Sequence, residues 1–150
     1  MPDPIIVCTD GSPASMAAAA TGLGVVDSPG RVVLTTVIEP PDPSLVTGGG
    51  FAGGVMSADE LDRESAAARS AAQAMLEEVA AQLHRSDADL RVLEGDAGVA
   101  VCRLAAELHA RAIVMGSRGR GIVKRAVLGS VSDHVVRNAP CPVVITGPAD

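Results

Sequence analysis

Gly116, Gly119, Gly129 and Ser130 stand on a frame of two and then nine intervening residues, within VMGSRGRGIVKRAVLGSVS at 114–132. The run before them, Ala112-Ile113-Val114-Met115, reads as a buried strand, and an apolar helical pattern begins where they end. Glycine at a strand-to-helix passage allows φ > 0 and lets backbone approach a ligand with no Cβ in the way. Amides freed in such a loop, with those of the following helix start, form a concavity suited to phosphate oxygens. The chemistry expected of these residues is capture of a nucleotide's phosphate tail by main-chain N–H groups.

Charge placement agrees. The 150-residue chain carries 12 Lys+Arg against 18 Asp+Glu, a formal net charge of −6. Yet Arg118, Arg120, Lys124 and Arg125 fall close together, and no acidic side chain lies between Gly116 and Ser132. A basic patch on an acidic body suits a small polyanion better than nucleic acid, whose long backbone the remainder would repel. The plainer alternative is a solvated basic loop. Tyr and Trp are absent and Phe51 is the single aromatic, so the chain offers no platform for stacking unpaired bases. No nucleic-acid partner is expected.

Hydrophobic residues make up 47% and charged residues 20%, which predicts one globular domain over 1–150, large enough to bury its own core. Cys8, Cys102 and Cys141 are odd in number and widely spaced with no CxxC, as expected of buried thiols in a reducing cytosol. The start, MPDPIIVCTDG, has no basic segment leading into an apolar stretch, so no secretory leader is expected. No apolar run approaches the ~18 residues of a membrane span. These features predict a cytoplasmic protein without a membrane partner. His84, His109 and His134 show no metal-ligand spacing, so the only metal expected is an ion carried by a nucleotide.

Short apolar runs alternate with helical patterns along the whole chain. Pro4–Thr9 reads as a first strand, Arg31–Ile38 as a second and Leu90–Leu93 as a third, with Ile113–Met115 in a fourth and Val143–Thr146 as a fifth. Ser12-Pro13 reads as an N-cap with proline at the first helical position, opening a helix over Ala14–Val26. Ser57-Ala58-Asp59-Glu60 has capping-box spacing, and Leu61, Ala68, Ala72, Met75, Leu76, Val79 and Leu83 mark one face of a long helix. Further helices are expected over Ala97–Leu108 and from about Leu128 to Asn138. The connection 39–57, rich in proline and glycine, is long and reads as a flexible loop. Strand–helix alternation predicts an α/β fold: a five-stranded parallel sheet with helices on both faces. In a flavodoxin-like order, 3-2-1-4-5, Asp10 after the first strand and Gly116 at the end of the fourth would meet where strand order reverses.

At this point the chain resembles the universal stress proteins, in the subset that carries a nucleotide motif. The family pattern G-x2-G-x9-G-(S/T) is met by Gly116, Gly119, Gly129 and Ser130, and IIVCTDGSPAS, VVLTTVIEP and SVSDHVVRNAPCPVVIT extend the similarity over nearly the whole chain. The resemblance implies an ATP-binding α/β domain in which those four residues hold the triphosphate; of the basic residues Arg118, Arg120, Lys124 and Arg125, some, Arg118 among them, are expected from charge placement to touch phosphate and others only to supply field. Asp10 would face the ribose or base, Thr9 and Val37 would line the adenine pocket, and Met115 and Val131 would flank the nucleotide. It also implies ATP as cofactor, with any Mg2+ or Mn2+ carried in by it, a regulatory role in stress response, and a homodimer through the last strand. Arg111 and Asn138 depart from residues common among relatives, at positions that match no ATP contact.

Each candidate has a plainer alternative. Asp10 could simply satisfy nearby backbone N–H groups, Ser130 could be only a helix N-cap, Cys8 a small buried hydrophobe and His134 a surface residue. The rival function is an enzyme, a weak ATPase or an autophosphorylating protein, for which only Asp10 and His134 offer readable acid–base groups. A purely structural dimerisation domain is the third possibility. Several charge-assisted hydrogen bonds, set against association costs, predict micromolar affinity near about −8 kcal/mol.

Overall fold

A computed structural model of the chain describes residues 3–26, 30–40, 44, 57–117 and 128–147. Five strands, β1 (Ile5–Cys8), β2 (Val32–Ile38), β3 (Asp89–Glu94), β4 (Ala112–Gly116) and β5 (Val143–Thr146), form one parallel sheet. Their order is β3-β2-β1-β4-β5, the expected one. The three central strands are runs of branched apolar residues, and Ile5–Val7, Val32–Leu34 and Ile113–Val114 are almost fully buried. Such runs suit strands covered on both faces.

Side-chain alternation along the strands divides the core in two. Ile5, Val7, Val32, Leu34 and Val114 point to the face covered by α1 (Pro13–Val25) and α2 (Ala58–Gln82), where Leu76 and Val79 pack on them. Ile6, Val33, Ile113 and Met115 point to the other face, covered by α3 (Ala97–Glu107) and α4 (Ser130–Asn138) through Val101, Leu104 and Val135. Handedness explains the division. Right-handed crossovers that step from β1 to β2 to β3 place α1 and α2 on one side, and steps in the opposite direction place α3 and α4 on the other.

The helix ends follow from local sequence. Ser12, Ser57 and Asp96 each accept a bond from the amide three residues on, and Ser57 with Glu60 completes the capping box. Each such cap stabilises by about 1 kcal/mol. At the far ends of α2 and α3, His84 and His109 adopt φ of 54° and 50°. The amides of Arg85 and Ala110 reach back to Ala80 and Ala105, closing a reversed turn at each end. Two of the three histidines are thus chain-reversal residues.

Two expectations about helices are corrected. α4 starts at Ser130 rather than near Leu128, because Gly129 is its N-cap, with extended backbone. On α2 the packed face begins at Ala72: Ala68 is exposed and Leu61 only half-buried, since the sheet beneath does not reach the first turns.

Two glycines of α1 have opposite surroundings. A Cβ at Gly22 would overlap Cγ1 of the fully buried Val114, whereas nothing lies within 4 Å of one at Gly24. Gly22→Ala is therefore expected to destabilise by about 1–3 kcal/mol through overpacking, outweighing its helix propensity. Gly24→Ala should stabilise by about 0.5–1 kcal/mol. Urea midpoints of the two variants against the parent check this.

Candidate functional site

β1 and β4 are neighbours, with Val7 beside Val114, and at their carboxyl ends the chain departs to opposite faces of the sheet. A cavity of about 240 Å³ opens between the two departures, where a doubly wound sheet leaves room for a ligand. Thr9 and Asp10 wall it from the exit of β1, Val37 from β2, Met115 and Gly116 from the end of β4, and Gly129, Ser130 and Val131 from the start of α4. All eight are residues singled out from the sequence. Arg118 and Gly119 lie outside the described residues, as do Arg120, Lys124, Arg125 and most of 39–57 with Phe51.

The exit of β1 is held by a closed set of short bonds. The Thr9 amide donates to the Thr35 carbonyl at 3.0 Å, prolonging the β1–β2 ladder by one residue. The buried Ser15 hydroxyl donates to Thr9 Oγ1 at 2.8 Å and accepts from the Asp10 amide at 3.2 Å. Thr9 Oγ1 also accepts from the Gly11 amide, and Asp10 Oδ1 accepts from the Ser12 amide at 2.9 Å. Asp10 therefore does satisfy a backbone N–H, as its plainer alternative had it, while remaining on the cavity wall. Gly11 has φ +78°, and a Cβ there would lie 2.7 Å from Met75 Cγ, so the turn requires glycine twice over.

The exit of β4 is held differently. The Ser117 amide donates to the Thr146 carbonyl of β5 at 3.0 Å. Its carbonyl accepts the Gly129 amide at 2.8 Å and the Ser132 hydroxyl at 2.8 Å. These bonds bring the first turn of α4 beside the end of β4. The amides of Ser130, Val131 and Ser132 fall in that first turn, where helix geometry supplies no internal acceptor.

Three readings of these residues change. Positive φ was expected of the glycine frame, but Gly116 is still in β4 and Gly129 has φ −62°; among the described glycines only Gly11 and Gly95 have positive φ. Both glycines nonetheless line the cavity. Ser130 is not the N-cap: Gly129 holds that place, no side chain caps α4, and Ser130 follows it exposed at the first helical position. His134 is half-buried rather than a surface residue, because α4 lays its ring over Gly98 of α3, 2.7 Å from where a Cβ would stand.

Ser15, Thr35, Thr36, Ala97, Val101 and Ser132 also line the cavity and were not singled out. Thr35 shares a strand face with Val37, so strand alternation could have found it. Ala97 and Val101 reach the cavity only because α3 crosses from edge strand β3 over to β4. Their own segment carries no local signal of that.

Cys8 lines the same cavity, and Cys102 and Cys141 pack around the same half of the core. Burial, reinforced by Cys102, pushes the Cys8 thiol up to about 12. Burial raises the other two thiols as well. Among the described residues, no group of three or more His, Cys, Asp or Glu is placed to hold a metal ion. No helix among them is long and apolar enough to cross a membrane.

Comparison with known proteins places this geometry. Residues 1–147 match the family model described as the Universal stress protein family. The chain belongs to that family. It is 28% identical to Universal stress protein MJ0531 of Methanocaldococcus jannaschii, over 94% of this chain and 79% of that one. It is 29% identical to the stress response protein NhaX of Bacillus subtilis, over 95% and 96% of the two chains. Among solved structures, the hypothetical protein MJ0577 superposes with a TM-score of 0.69 at 18% identity, over 99% of this chain and 97% of the other. A universal stress protein crystallised in complex with cAMP superposes at 0.62 with 23% identity, over 98% of each. At these identities the structural likeness establishes the shared fold.

A raised thiol pKa keeps Cys8 neutral through physiological pH, and the reactive thiolate accumulates only as pH climbs toward about 12. Iodoacetamide at pH 8 should therefore modify Cys8 at least about a hundredfold more slowly than free cysteine, with the rate rising about tenfold per pH unit. Peptide mass spectrometry after timed quenching reads this, and labelling at the rate of free cysteine would contradict it.

Proposed function

We propose that this member of the universal stress protein family binds ATP in the cavity between β1 and β4 and acts as a nucleotide-dependent regulatory module in stress response. The observation that carries the reading is the convergence of Thr9, Asp10, Val37, Met115, Gly116, Gly129, Ser130 and Val131, drawn from three strands and one helix, on one cavity. Val37, Met115, Val101 and Cys8 supply an apolar lobe for a base, and Thr9 and Asp10 supply polar groups for a sugar. The first-turn amides of α4, which have no helical acceptor, and the side-chain-free positions Gly116 and Gly129 suit phosphate oxygens. Gly119 and Arg118 complete this phosphate-holding set in the sequence.

The cavity's size is compatible with that division. Its 240 Å³ falls below the roughly 300–1,000 Å³ of a typical small-molecule site, so a ligand as long as ATP would fill it and extend over its rim. The cAMP complex of a protein with the same fold supports an adenine nucleotide as the ligand class. Any Mg2+ or Mn2+ would arrive with the nucleotide and add positive charge against its phosphates. Turnover has less support: His134 packs on α3 and is not among the lining residues, so Asp10 and His134 are not assembled as an acid–base pair.

The reading includes pairing of two copies through β5, an edge strand whose Val143, Val144, Ile145 and Thr146 are only half-buried. Light scattering should then return twice the 15.1 kDa chain mass. A monomer mass at tens of micromolar would remove this part.

Calorimetric titration with ATP should give a Kd in the micromolar range for the parent protein, about −8 kcal/mol. Gly129→Glu places bulk and negative charge on the wall and should abolish that signal while the melting temperature is retained. Equal affinity in the two proteins would overturn the reading. Nucleotide recovered from the acid-denatured supernatant of freshly purified protein would support it independently.

A further inference from the structure

We infer that Ser132 is a positioning residue, whose hydroxyl bond to the Ser117 carbonyl holds the first turn of α4 against the end of β4 and so sets where the Ser130 and Val131 amides stand in the cavity. The inference rests on the proposed capture of a phosphate tail by those amides. Ser132 is only 2% exposed, and its hydroxyl lies 2.8 Å from the Ser117 carbonyl and 3.0 Å from the Gly129 carbonyl. It has one proton to share between these two acceptors.

The need for such a tie follows from the glycine. A helix commonly fixes its entry with an N-cap side chain, but the N-cap of α4 is Gly129, which has none. A serine at 129 would cap the helix, yet it would also put a side chain on the cavity wall that Gly129 leaves bare. The anchoring hydroxyl is displaced instead by three residues to Ser132, on the buried side of the same turn. There it joins the Gly129 amide on a single acceptor, the Ser117 carbonyl.

That acceptor is itself fixed, because the Ser117 amide donates to Thr146 of β5. Eleven residues separate Ser117 from Gly129 in the chain, so nothing local in sequence sets the distance between Gly116 and Ser130. Packing of Val135 holds the middle of α4, a full turn further on. The Ser117 bonds hold its beginning. Removing the hydroxyl leaves the Gly129 amide alone on that carbonyl and frees the turn to shift.

The test separates tail from base. In Ser132→Ala, ATP affinity should fall about tenfold, one hydrogen bond's worth, while adenosine affinity stays within about twofold. Ser132→Thr, which restores the hydroxyl, should recover ATP binding, and Ser132→Cys, similar in size with a weak donor, should behave as the alanine variant. A merely structural role would weaken both ligands together, and that result, or no change in either, would overturn the inference. Melting temperatures of all three variants establish that they are folded. Failure of the parent protein to bind ATP would instead overturn the reading of the cavity. The tie is then judged in ligand-free protein by hydrogen exchange at the Gly129 amide: faster exchange in Ser132→Ala supports it, and an unchanged rate contradicts it.

Discussion

Parallel pairing of β1 with β4, Val7 beside Val114, makes two neighbouring strands release the chain to opposite faces of the sheet. The helices that follow them, α1 and α4, pack on opposite faces of the sheet. The resulting gap is a consequence of chain handedness and strand order, not of any residue chosen to make a hole. The cavity-lining residues named from the sequence stand around it. Thr9 and Asp10 continue β1 past its last paired residue, Gly116 ends β4, and α4 begins beside them.

A gap at the end of a sheet exposes polar backbone, and the two sides of this one deal with it unlike each other. The β1 side is held largely by short-range bonds: Thr9, Asp10, Gly11, Ser12 and Ser15 exchange hydrogen bonds within a seven-residue span, and the Thr9 amide adds one to Thr35 of β2. Local sequence therefore specifies much of that wall. The α4 side is held by long-range bonds to Ser117, and the first-turn amides are left without helical acceptors. A wall held by short-range bonds thus faces, across the cleft, a wall whose first-turn amides lack helical acceptors.

The family relationship makes the same physical point. Proteins sharing only 18% and 23% of residues with this chain superpose over nearly its whole length. Buried positions here ask for branched apolar residues at strand spacing and for small residues where helices meet the sheet, as at Ala18, Ala19 and Gly22. Many sequences meet those demands, so the fold tolerates substitution. Positions such as Gly11, pressed against Met75 in a left-handed turn, tolerate far less.

The strand count and the caps at Ser12 and Ser57 were legible in the chain, because each is governed by neighbours a few residues away, whereas the strand order was expected from strand–helix alternation and a flavodoxin-like topology. Short continuous apolar runs and helical repeats, with Ser-Pro and Ser-x-x-Glu, carry that local information directly. Eight residues named from spacing and family resemblance line one cavity, although the positive φ expected of the glycines was not found at Gly116 or Gly129. Gly129 is extended, and it is the N-cap of α4 on the cavity wall. What only the tertiary structure decided was which distant segments share a wall: α3 bringing Ala97 and Val101 over from β3, His134 turned onto Gly98, and Ser132 reaching back to Ser117. Such contacts depend on where whole elements pack once the sheet has closed. No short window of sequence contains both partners, so only the folded chain can bring them together.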